Sequence, residues 1–586
     1  MRALSMTRDQ RVTLMQTALG KTTADVIFTG GQVVNVYSGE ILPHLWVVLK
    51  GERIAYVGPP DEAMVGRETM IRELDGRFIL PGFVDGHTHL DSIFQVRAYA
   101  EYAMPFGNTT AVSEVAMIAN AMGVKGVQCF LDEIKDQPLR VFVLAPPLVP
   151  PFPELETSRP FPNSYFDELL SVHICLGIGE TYWSGLIDFE DRALRQYQLG
   201  DESGKRREGH AAGAKEKKLM AYAAAGTSSC HESVNLEEAL EKLRLGMAVM
   251  IREGYVRREL AALSGIAEKA VDLTNVMMVT DIADPAELVT RGGMNLLLKG
   301  AVGLGFDPVK AVQMVTINPA RYFGLYELGG VAPGKMADLV IVDDLKDFYC
   351  HQVWAGGCLV ARDGRLEPEI KPNRYPEEVR HSITLRNVEP EFFGIPFSGE
   401  EARVRVVEIV NETITREAFC VMEPAKGSLI QDPSRDILKI AVFNKDRPDS
   451  PPGLGFAKGI GFHTGALATS LLWDTNNVLV AGVTDQEMAA AINRVTHLGG
   501  GMVVVQGDKV IAEIPLPICG IISTEPLPEI VRQLEEVEAA CRRLGSNIPR
   551  PFLTFQTFCF TGLPFLRLTD RGLVDVRQMK HVPLIA

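Results

Sequence analysis

The sequence lacks the features that define several classes of protein. Its nine cysteines include no Cys-x-x-Cys pair, which argues against a disulfide framework and favours a reduced, intracellular protein. No run of about eighteen apolar residues is present, so we expect no membrane span. Residues 1–21 are polar and helix-prone and predict no signal peptide. Together these absences predict a cytoplasmic protein.

An excess of positive charge is also missing. Lys and Arg number 59 against 74 Asp and Glu, and the formal net charge of −15 argues against a surface for nucleic acid. This charge is compatible with a small neutral or cationic substrate. With 586 residues, 46% of them hydrophobic and 23% charged, the chain can bury large cores in several domains.

Two β-rich segments flank the middle of the chain. Residues 24–80 alternate apolar and polar positions between Gly-containing turns, and residues 334–343 repeat this texture as a strand with a polar lead-in. The economical interpretation is one small β-sandwich domain, residues 1–80 and 331–375, which is built from both segments with another domain inserted between them.

The inserted region, residues 81–330, alternates short apolar strands with helical patterns, as parallel β/α units do. Besides a strand in the apolar run 78–90, the predicted strands are 109–113, 140–145, 174–178, 226–229, 248–251 and 276–280. Their number approaches the eight of a (β/α)8 TIM-like barrel. After residue 375 the composition shifts, and residues 376–586 predict a C-terminal α/β domain.

His87 and His89 are the most informative pair in the chain. Alternate residues of a strand point to the same face, so the two imidazoles project side by side, as one metal ion requires. Metal ligands of a barrel are expected at the carboxyl ends of its strands. The other His, Asp and Glu residues predicted at such ends are Glu180, His210, His231 and Asp281. In a chain with 11 histidines, this concentration predicts a metal centre.

The number of candidate ligands suggests two divalent metal ions. The first histidine pair would hold one ion, and His210 and His231 the other. Glu180 would bridge them, because a carboxylate has two oxygens. Asp281 would bind a metal or a metal-bound water and exchange that water's proton as catalytic acid and base. Nitrogen and oxygen ligands suit manganese, iron and zinc alike.

Each candidate ligand has an ordinary structural alternative when it is taken singly. His210 could be a loop histidine, His231 could cap the following helix, and Asp281 could be a turn or N-cap residue. Glu180 could pair with a surface base. The alternatives weaken only when the six residues are considered together.

Several stretches resemble the amidohydrolase superfamily and, within it, the adenine deaminases. The similarity extends over about residues 24–576 and includes the C-terminal region. The stretches that carry it include residues 81–89 (PGFVDGHTH), 209–213 (GHAAG), 224–232 (AAGTSSCHE) and 332–342 (APGKMADLVIV).

This resemblance implies hydrolytic removal of the exocyclic amine of adenine, which gives hypoxanthine and ammonia. It also implies a homo-oligomer, either a dimer or a tetramer. Under the resemblance, Asp281 is the catalytic acid and base and a metal ligand. The implied ligands of the binuclear metal centre are His87, His89, Glu180, His210 and His231.

The stretches expected around the substrate depart from the family pattern. Asp91 stands where adenine deaminases usually have Glu, residues 114–117 read Glu-Val-Ala-Met instead of Asp-Pro-His-Glu, and residues 282–285 read Ile-Ala-Asp-Pro instead of Asp-Arg-His-Pro. Residues 473–476 read Trp-Asp-Thr-Asn where the family has an Asp-Ser-His stretch, and a paired His near 445–447 is missing. The candidate substrate-binding residues are Asp91, Glu114, Glu232 and Asp284.

Three hypotheses of function follow. The first is a metal-dependent deaminase of adenine. The second keeps the chemistry and changes the substrate to another aminated heterocycle or a cyclic amide, because a pocket that hydrogen-bonds one base rejects others. The third is a non-catalytic binding protein on the same scaffold, which predicts the loss of a metal ligand, and none is lost. Both enzymatic hypotheses require a small heterocyclic partner rather than nucleic acid or a membrane.

Overall fold

Eight parallel strands form the barrel that carries the predicted metal ligands. In the computed structural model, which describes residues 4–586, strands β1 to β5 pair in sequence order and strands β6 to β8 do the same. Their bounds are β1 Phe83–Thr88, β2 Asn108–Ser113, β3 Arg140–Ala145, β4 Cys175–Tyr182, β5 Arg206–His210, β6 Ser229–Cys230, β7 Ala248–Arg252 and β8 Val276–Val279.

Backbone contacts close the two groups of strands into one ring. Thr88 pairs with Asp281 in a parallel bridge between β1 and the end of β8. The Ser228 N–H donates to the Arg207 carbonyl at 2.9 Å, which joins β5 to the segment that leads into β6. The predicted (β/α)8 barrel is therefore confirmed.

The barrel strands differ from the predicted ones by more than two residues in four places. β4 runs on to Tyr182 and does not end at 178, so Glu180 lies inside this strand. β5 is absent from the sequence prediction because its residues, Arg-Arg-Glu-Gly-His, do not form an apolar run. β6 is Ser229–Cys230 and not 226–229. The apolar run 78–90 is two strands, because Phe78–Pro81 belongs to the β-sandwich and only the residues after Gly82 enter the barrel.

Helices cover the outside of the barrel. Helix Leu236–Arg244 shows why they form where they do: the Asn235 side chain accepts the Glu238 N–H at 3.0 Å, and Lys242 and Arg244 lie at the negative end of the helix dipole. The other helices of this region are Val96–Ala103, Ala116–Glu133, Asn163–Ser171, Trp183–Ile187, Asp191–Glu202, Glu216–Ala224, Leu260–Leu263, Pro285–Thr290, Met294–Gly303, Pro308–Met314 and Ile317–Tyr322.

Two sheets form the predicted β-sandwich from both flanking segments. Phe78–Pro81 pairs antiparallel with Leu339–Val342, so the chain leaves and re-enters the same sheet around the barrel. Between the sheets, Phe28 packs edge-on against Trp354 with ring centroids 5.1 Å apart. The remaining strands are Val26–Thr29, Gln32–Asn35, Glu40–Pro43, Trp46–Lys50, Arg53–Gly58, Met70–Glu73, Cys350–Ala355, Cys358–Arg362 and Arg365–Leu366.

The C-terminal α/β region is built on an eight-stranded sheet followed by a three-stranded one. Helix Asp485–Leu498 and helix Leu527–Leu544 pack on the large sheet. The other helices of this region are Glu377–Arg380 and Pro551–Thr557. The strands are Ala402–Ile409, Thr415–Met422, Ile437–Phe443, Gly453–Lys458, Ala466–Thr469, Val478–Gly482, Gly501–Gln506, Lys509–Pro515, Leu566–Thr569, Gly572–Asp575 and Lys580–His581.

A partly exposed ion pair links the C-terminal region to the barrel side of the molecule. The Arg159 guanidinium binds the Asp446 carboxylate at 2.6 Å and donates to the Ser382 carbonyl at 2.9 Å.

The N-terminal segment, predicted to be helix-prone, forms helix Arg8–Ala18. Residues 1–3 of this segment lie outside the described residues. None of the helices in residues 4–586 has the length and apolarity that a membrane crossing requires.

Gly254, which follows β7, packs closely against the segment that follows β8. A Cβ at this position would lie 2.0 Å from the Thr280 carbonyl oxygen and 2.4 Å from that of Ile282. These carbonyls flank Asp281, whose φ of 61° is left-handed. Gly254→Ala is therefore expected to displace this segment and lower the unfolding temperature, measured by calorimetry.

Gly303→Ala is the matched control, because nothing lies within 4 Å of its added Cβ at the end of a helix. Alanine is favoured over glycine in a helix by about 0.5–1 kcal/mol, so this variant should unfold at or slightly above the wild-type temperature. Equal unfolding temperatures for the two variants would contradict the close packing at Gly254.

Candidate metal centre

The first histidine pair faces two carboxylates. His87 Nε2 lies 3.1 Å from Glu180 Oε1, and His89 Nε2 lies 3.0 Å from the same oxygen. Asp281 Oδ1 lies 3.6 Å from His87 Nε2 and 3.5 Å from His89 Nε2. The ends of β1, β4 and β8 therefore bring these four side chains to one point.

The second histidine pair approaches Glu180 from the neighbouring strand ends. His210 Nδ1 lies 3.0 Å from Glu180 Oε2, and His231 Nε2 lies 3.7 Å from Glu180 Oε1. His231 also stacks on His87 with ring centroids 4.2 Å apart. The two oxygens of Glu180 thus face different histidines, and all six predicted metal-site residues lie in one cluster.

The cluster fits divalent metal ions. Two groups of side chains each bring their ligand atoms within 4.8 Å of one another. The first group is His87, Glu180, His231 and Asp281, and the second is His210, His231 and Glu232. His87 Nε2 and His210 Nε2 are buried, yet neither makes a hydrogen bond of acceptable geometry within residues 4–586. Buried polar atoms are normally hydrogen-bonded, so these nitrogens suit metal coordination.

The carboxylates of the cluster are held ionised. Burial opposes this, but His87 and Arg252 lower the pKa of Asp281 to about 2. Burial likewise opposes a charge on Glu180, while His231 and His210 hold its pKa well below the usual range. Buried anions of this kind require nearby positive charge, which divalent cations supply.

Arg252, the last residue of β7, is a site residue that a search for His, Asp and Glu does not reveal. Its guanidinium donates to both oxygens of Glu259 at 2.8 and 2.9 Å, contacts Glu232, and lies 3.4 Å from Asp281 Oδ2. A buried arginine needs carboxylate partners. An arginine at the end of the apolar strand 248–251 is therefore the sequence feature that indicates a site residue here. Arg252 fixes the orientation of Asp281 and Glu232.

Two of the candidate substrate-binding residues, Asp91 and Glu114, lie behind the metal cluster. Asp91 Oδ2 accepts the Ile118 N–H at 3.1 Å, and its Oδ1 lies 3.7 Å from His89 Nδ1. Glu114 Oε1 accepts the Glu180 N–H at 3.0 Å. Burial and the charge of Glu180 raise the pKa of Glu114 to about 8.

The other two candidates, Glu232 and Asp284, have different surroundings. Glu232 lines the cavity beside the cluster, and its Oε1 lies 3.4 Å from His231 Nε2. Asp284 is the N-cap of helix Pro285–Thr290 and also contacts Arg258 at 3.2 Å. Of the four candidates, Glu232 is the one whose side chain lines the cavity.

The C-terminal region completes the wall of this cavity. The ring centroid of Trp473 lies 6.4 Å from that of His89 and 6.1 Å from that of Phe560, and all three side chains line the cavity. Asp474 accepts a hydrogen bond from the Tyr182 hydroxyl at 2.9 Å. The site is therefore shared between the barrel and residues far along the chain, including part of the divergent stretch 473–476.

Comparisons with known proteins agree with this architecture. The model of the amidohydrolase family matches residues 78–360, and that of the adenine deaminase C-terminal domain matches residues 412–580. Adenine deaminase of Moorella thermoacetica is 37% identical over 584 residues, which cover 98% of this chain and 97% of that protein. Adenine deaminase of Methanothrix thermoacetophila is also 37% identical, over 97% of this chain and 99% of its own.

The chain belongs to the adenine deaminase family. This confirms the resemblance drawn from the sequence, and membership of the amidohydrolases implies the use of divalent metal. A solved structure of a beta-aspartyl dipeptidase from Fervidobacterium islandicum AW-1 is similar at 16% identity and a TM-score of 0.48, covering 59% of this chain and 99% of that one.

For this family member, Arg252→Met is expected to disrupt the site. The substitution leaves Glu232 and Glu259 without their cation, and removal of one partner of a buried ion pair costs roughly 3–5 kcal/mol. We expect a lower unfolding temperature and a lower content of bound metal, measured by calorimetry and by elemental analysis.

Arg258→Met is the matched control. Its side chain is 43% exposed, against 4% for Arg252, and it pairs with Asp284 and Glu287 at the surface. Exposed pairs contribute about 0–1 kcal/mol, so this variant should resemble the wild type. Wild-type stability and metal content in Arg252→Met would show that Arg252 does not organise the site.

Proposed function

We propose that this protein hydrolyses adenine to hypoxanthine and ammonia. The observation that carries the proposal is the complete cluster of four histidines, Glu180 and Asp281 at the barrel mouth. It occurs in a chain that matches proteins named adenine deaminase at 33–37% identity over nearly its whole length. No predicted metal ligand is replaced, which argues against a purely binding role.

We propose two divalent ions, one held by His87 and His89 and the other by His210 and His231. A bridging role for Glu180 is supported by its two oxygens, which face different histidines. Divalent ions in such a site lower the pKa of water, so that hydroxide is available at neutral pH. The ligand set suits manganese, iron or zinc.

Asp281 is the proposed acid and base. Its Oδ1 faces His87 and His89 while its Oδ2 faces Arg252, so the carboxylate is held ionised and in a fixed orientation. It would take a proton from the attacking water as the new C–O bond forms at C6 of adenine. It would then give that proton to the exocyclic nitrogen as the C–N bond breaks and ammonia leaves.

Supporting roles follow for the four candidate substrate-binding residues. We propose that Glu232, which lines the cavity, contacts the substrate. Asp91 would orient His89, and Glu114 would hold the Glu180 backbone, as second partners of metal ligands commonly do. Asp284 would fix the start of the helix that follows Asp281.

The remaining proposals concern organisation. We propose domain boundaries near residues 80/81, 330/331 and 375/376. The pairing of Phe78–Pro81 with Leu339–Val342 across the inserted barrel supports this division and moves the first boundary to just after Pro81. A homodimer or homotetramer in the cytoplasm is also proposed, and it rests on the family resemblance and the cysteine pattern.

Turnover of adenine tests the proposed reaction. Metal-loaded protein should release ammonia from adenine, and Asp281→Asn should lower kcat by roughly 100-fold or more because the proton carrier is lost. The bound metal, followed by elemental analysis, should remain. Asp307→Asn is the control, because Asp307 caps a helix away from the cavity and Asn caps equally well. Full activity in Asp281→Asn would refute its assigned role.

Metal content tests the proposed pair of ions. Wild-type protein should carry about two ions per chain, and His210→Ala should carry about one because one histidine pair is broken. His351→Ala is the control, since His351 contacts Asp363 in the β-sandwich. Equal metal content in wild type and His210→Ala would contradict the two-ion arrangement.

A second candidate substrate is another aminated heterocycle or a cyclic amide. Ala116 and Met117 line the cavity where the family usually has polar residues, and this difference favours a changed substrate. A panel of such compounds measured beside adenine decides between the two. A higher kcat/KM for another compound would replace adenine as the substrate.

A further inference from the structure

Asp474 is a carboxylate in a largely apolar part of the cavity wall. Its neighbours along that wall include Trp473, Phe560 and Leu563 from the C-terminal region and Leu148 from the barrel. Asp474 forms no ion pair within residues 4–586, and the Tyr182 hydroxyl is the one donor there that reaches its side chain, at 2.9 and 3.0 Å from the two oxygens.

The backbone around Asp474 is held in place by the barrel. Asp474 has a left-handed φ of 65°, a conformation that costs free energy and persists where surrounding contacts impose it. Asn476 imposes it: its side chain accepts the Leu472 N–H at 3.1 Å and donates to the Met117 carbonyl at 3.1 Å and to the Asp474 carbonyl at 2.9 Å. The loop therefore presents the Asp474 carboxylate from a fixed position.

A carboxylate accepts about four hydrogen bonds, and Tyr182 supplies one hydroxyl. Burial raises the pKa of Asp474 to about 7, and a carboxylate with unused acceptor capacity in such a place is stabilised when a ligand brings N–H donors. Adenine brings two kinds of donor. The exocyclic amine must lie at Asp281 for the proposed reaction, which leaves the N–H of the five-membered ring for a second acceptor.

We propose that Asp474 accepts a hydrogen bond from the ring N–H of the free base and so selects the base against compounds substituted at N9. A substituent at N9 removes that hydrogen from the nitrogen and leaves the carboxylate without its partner. Tyr182 acts as a positioning residue for the carboxylate. This inference rests on the proposed deamination of adenine.

The test compares Asp474→Ala with wild type in their KM for adenine and their inhibition by 9-methyladenine. Loss of a hydrogen bond to a charged group should raise the KM for adenine roughly 10- to 100-fold, while kcat stays within about threefold because Asp281 is untouched. The inhibition constant of 9-methyladenine, which lacks the ring N–H, should stay within about threefold. Asp449→Ala, an exposed aspartate paired with Arg386, is the control.

Three further outcomes have distinct meanings. An unchanged KM for adenine in Asp474→Ala would overturn the inference and leave the proposed function standing. Equal weakening of adenine and 9-methyladenine would also overturn it, since the effect would then be on cavity shape alone. Absence of adenine turnover in metal-loaded wild type would overturn the proposed function and this inference with it.

Discussion

The metal cluster is organised around the mostly buried carboxylate of Glu180, which lies among four imidazoles. Its two oxygens meet histidines from β5 and from the end of β1 at about 3 Å, where bulk water solvates the charge only weakly. Such a group is tolerable only if cations or proton-bearing partners surround it. The barrel satisfies this need by directing the ends of several strands to one point, and Arg252 balances the carboxylates that remain.

Much of this arrangement follows from local rules of sequence. The period of a strand places His87 and His89 on one face, and the rule that barrel sites form at carboxyl strand ends brings in Glu180, His231 and Asp281. His210 lies in the GHAAG stretch that resembles the family, although the strand it ends was not predicted. The β-sandwich was predictable because both of its segments show the same alternation. These features depend on short-range geometry, so a single sequence contains them.

Other parts of the site could not be predicted, because they depend on long-range packing. Tyr182 and Asp474 are 292 residues apart in the chain, and no local pattern pairs them. β5 was not predicted because Arg206, Arg207 and Glu208 break the apolar strand pattern, and His210 is the residue of this strand that belongs to the metal cluster. Glu114, at the end of β2, lies behind the cluster instead of in the cavity, since only the three-dimensional order of strands decides which strand ends face the substrate.

The C-terminal region completes the cavity that the barrel begins. The loop that carries Trp473 and Asp474 is pinned to the barrel by Asn476, so the two parts share one cavity. This sharing gives a structural reason why the similarity to adenine deaminases extends over nearly the whole chain. The barrel supplies the candidate metal ligands and Asp281, while Trp473, Asp474 and Phe560 of the C-terminal region form the far wall of the cavity.

Anomalous diffraction from crystals of the metal-loaded protein, recorded at the absorption edge of the bound metal, tests whether Glu180 lies between two ions. If two ions bind as proposed, two anomalous peaks will lie on either side of Glu180, one within bonding distance of His87 and His89 and the other of His210 and His231. A single peak, or metal bound away from Glu180, would contradict the proposed arrangement.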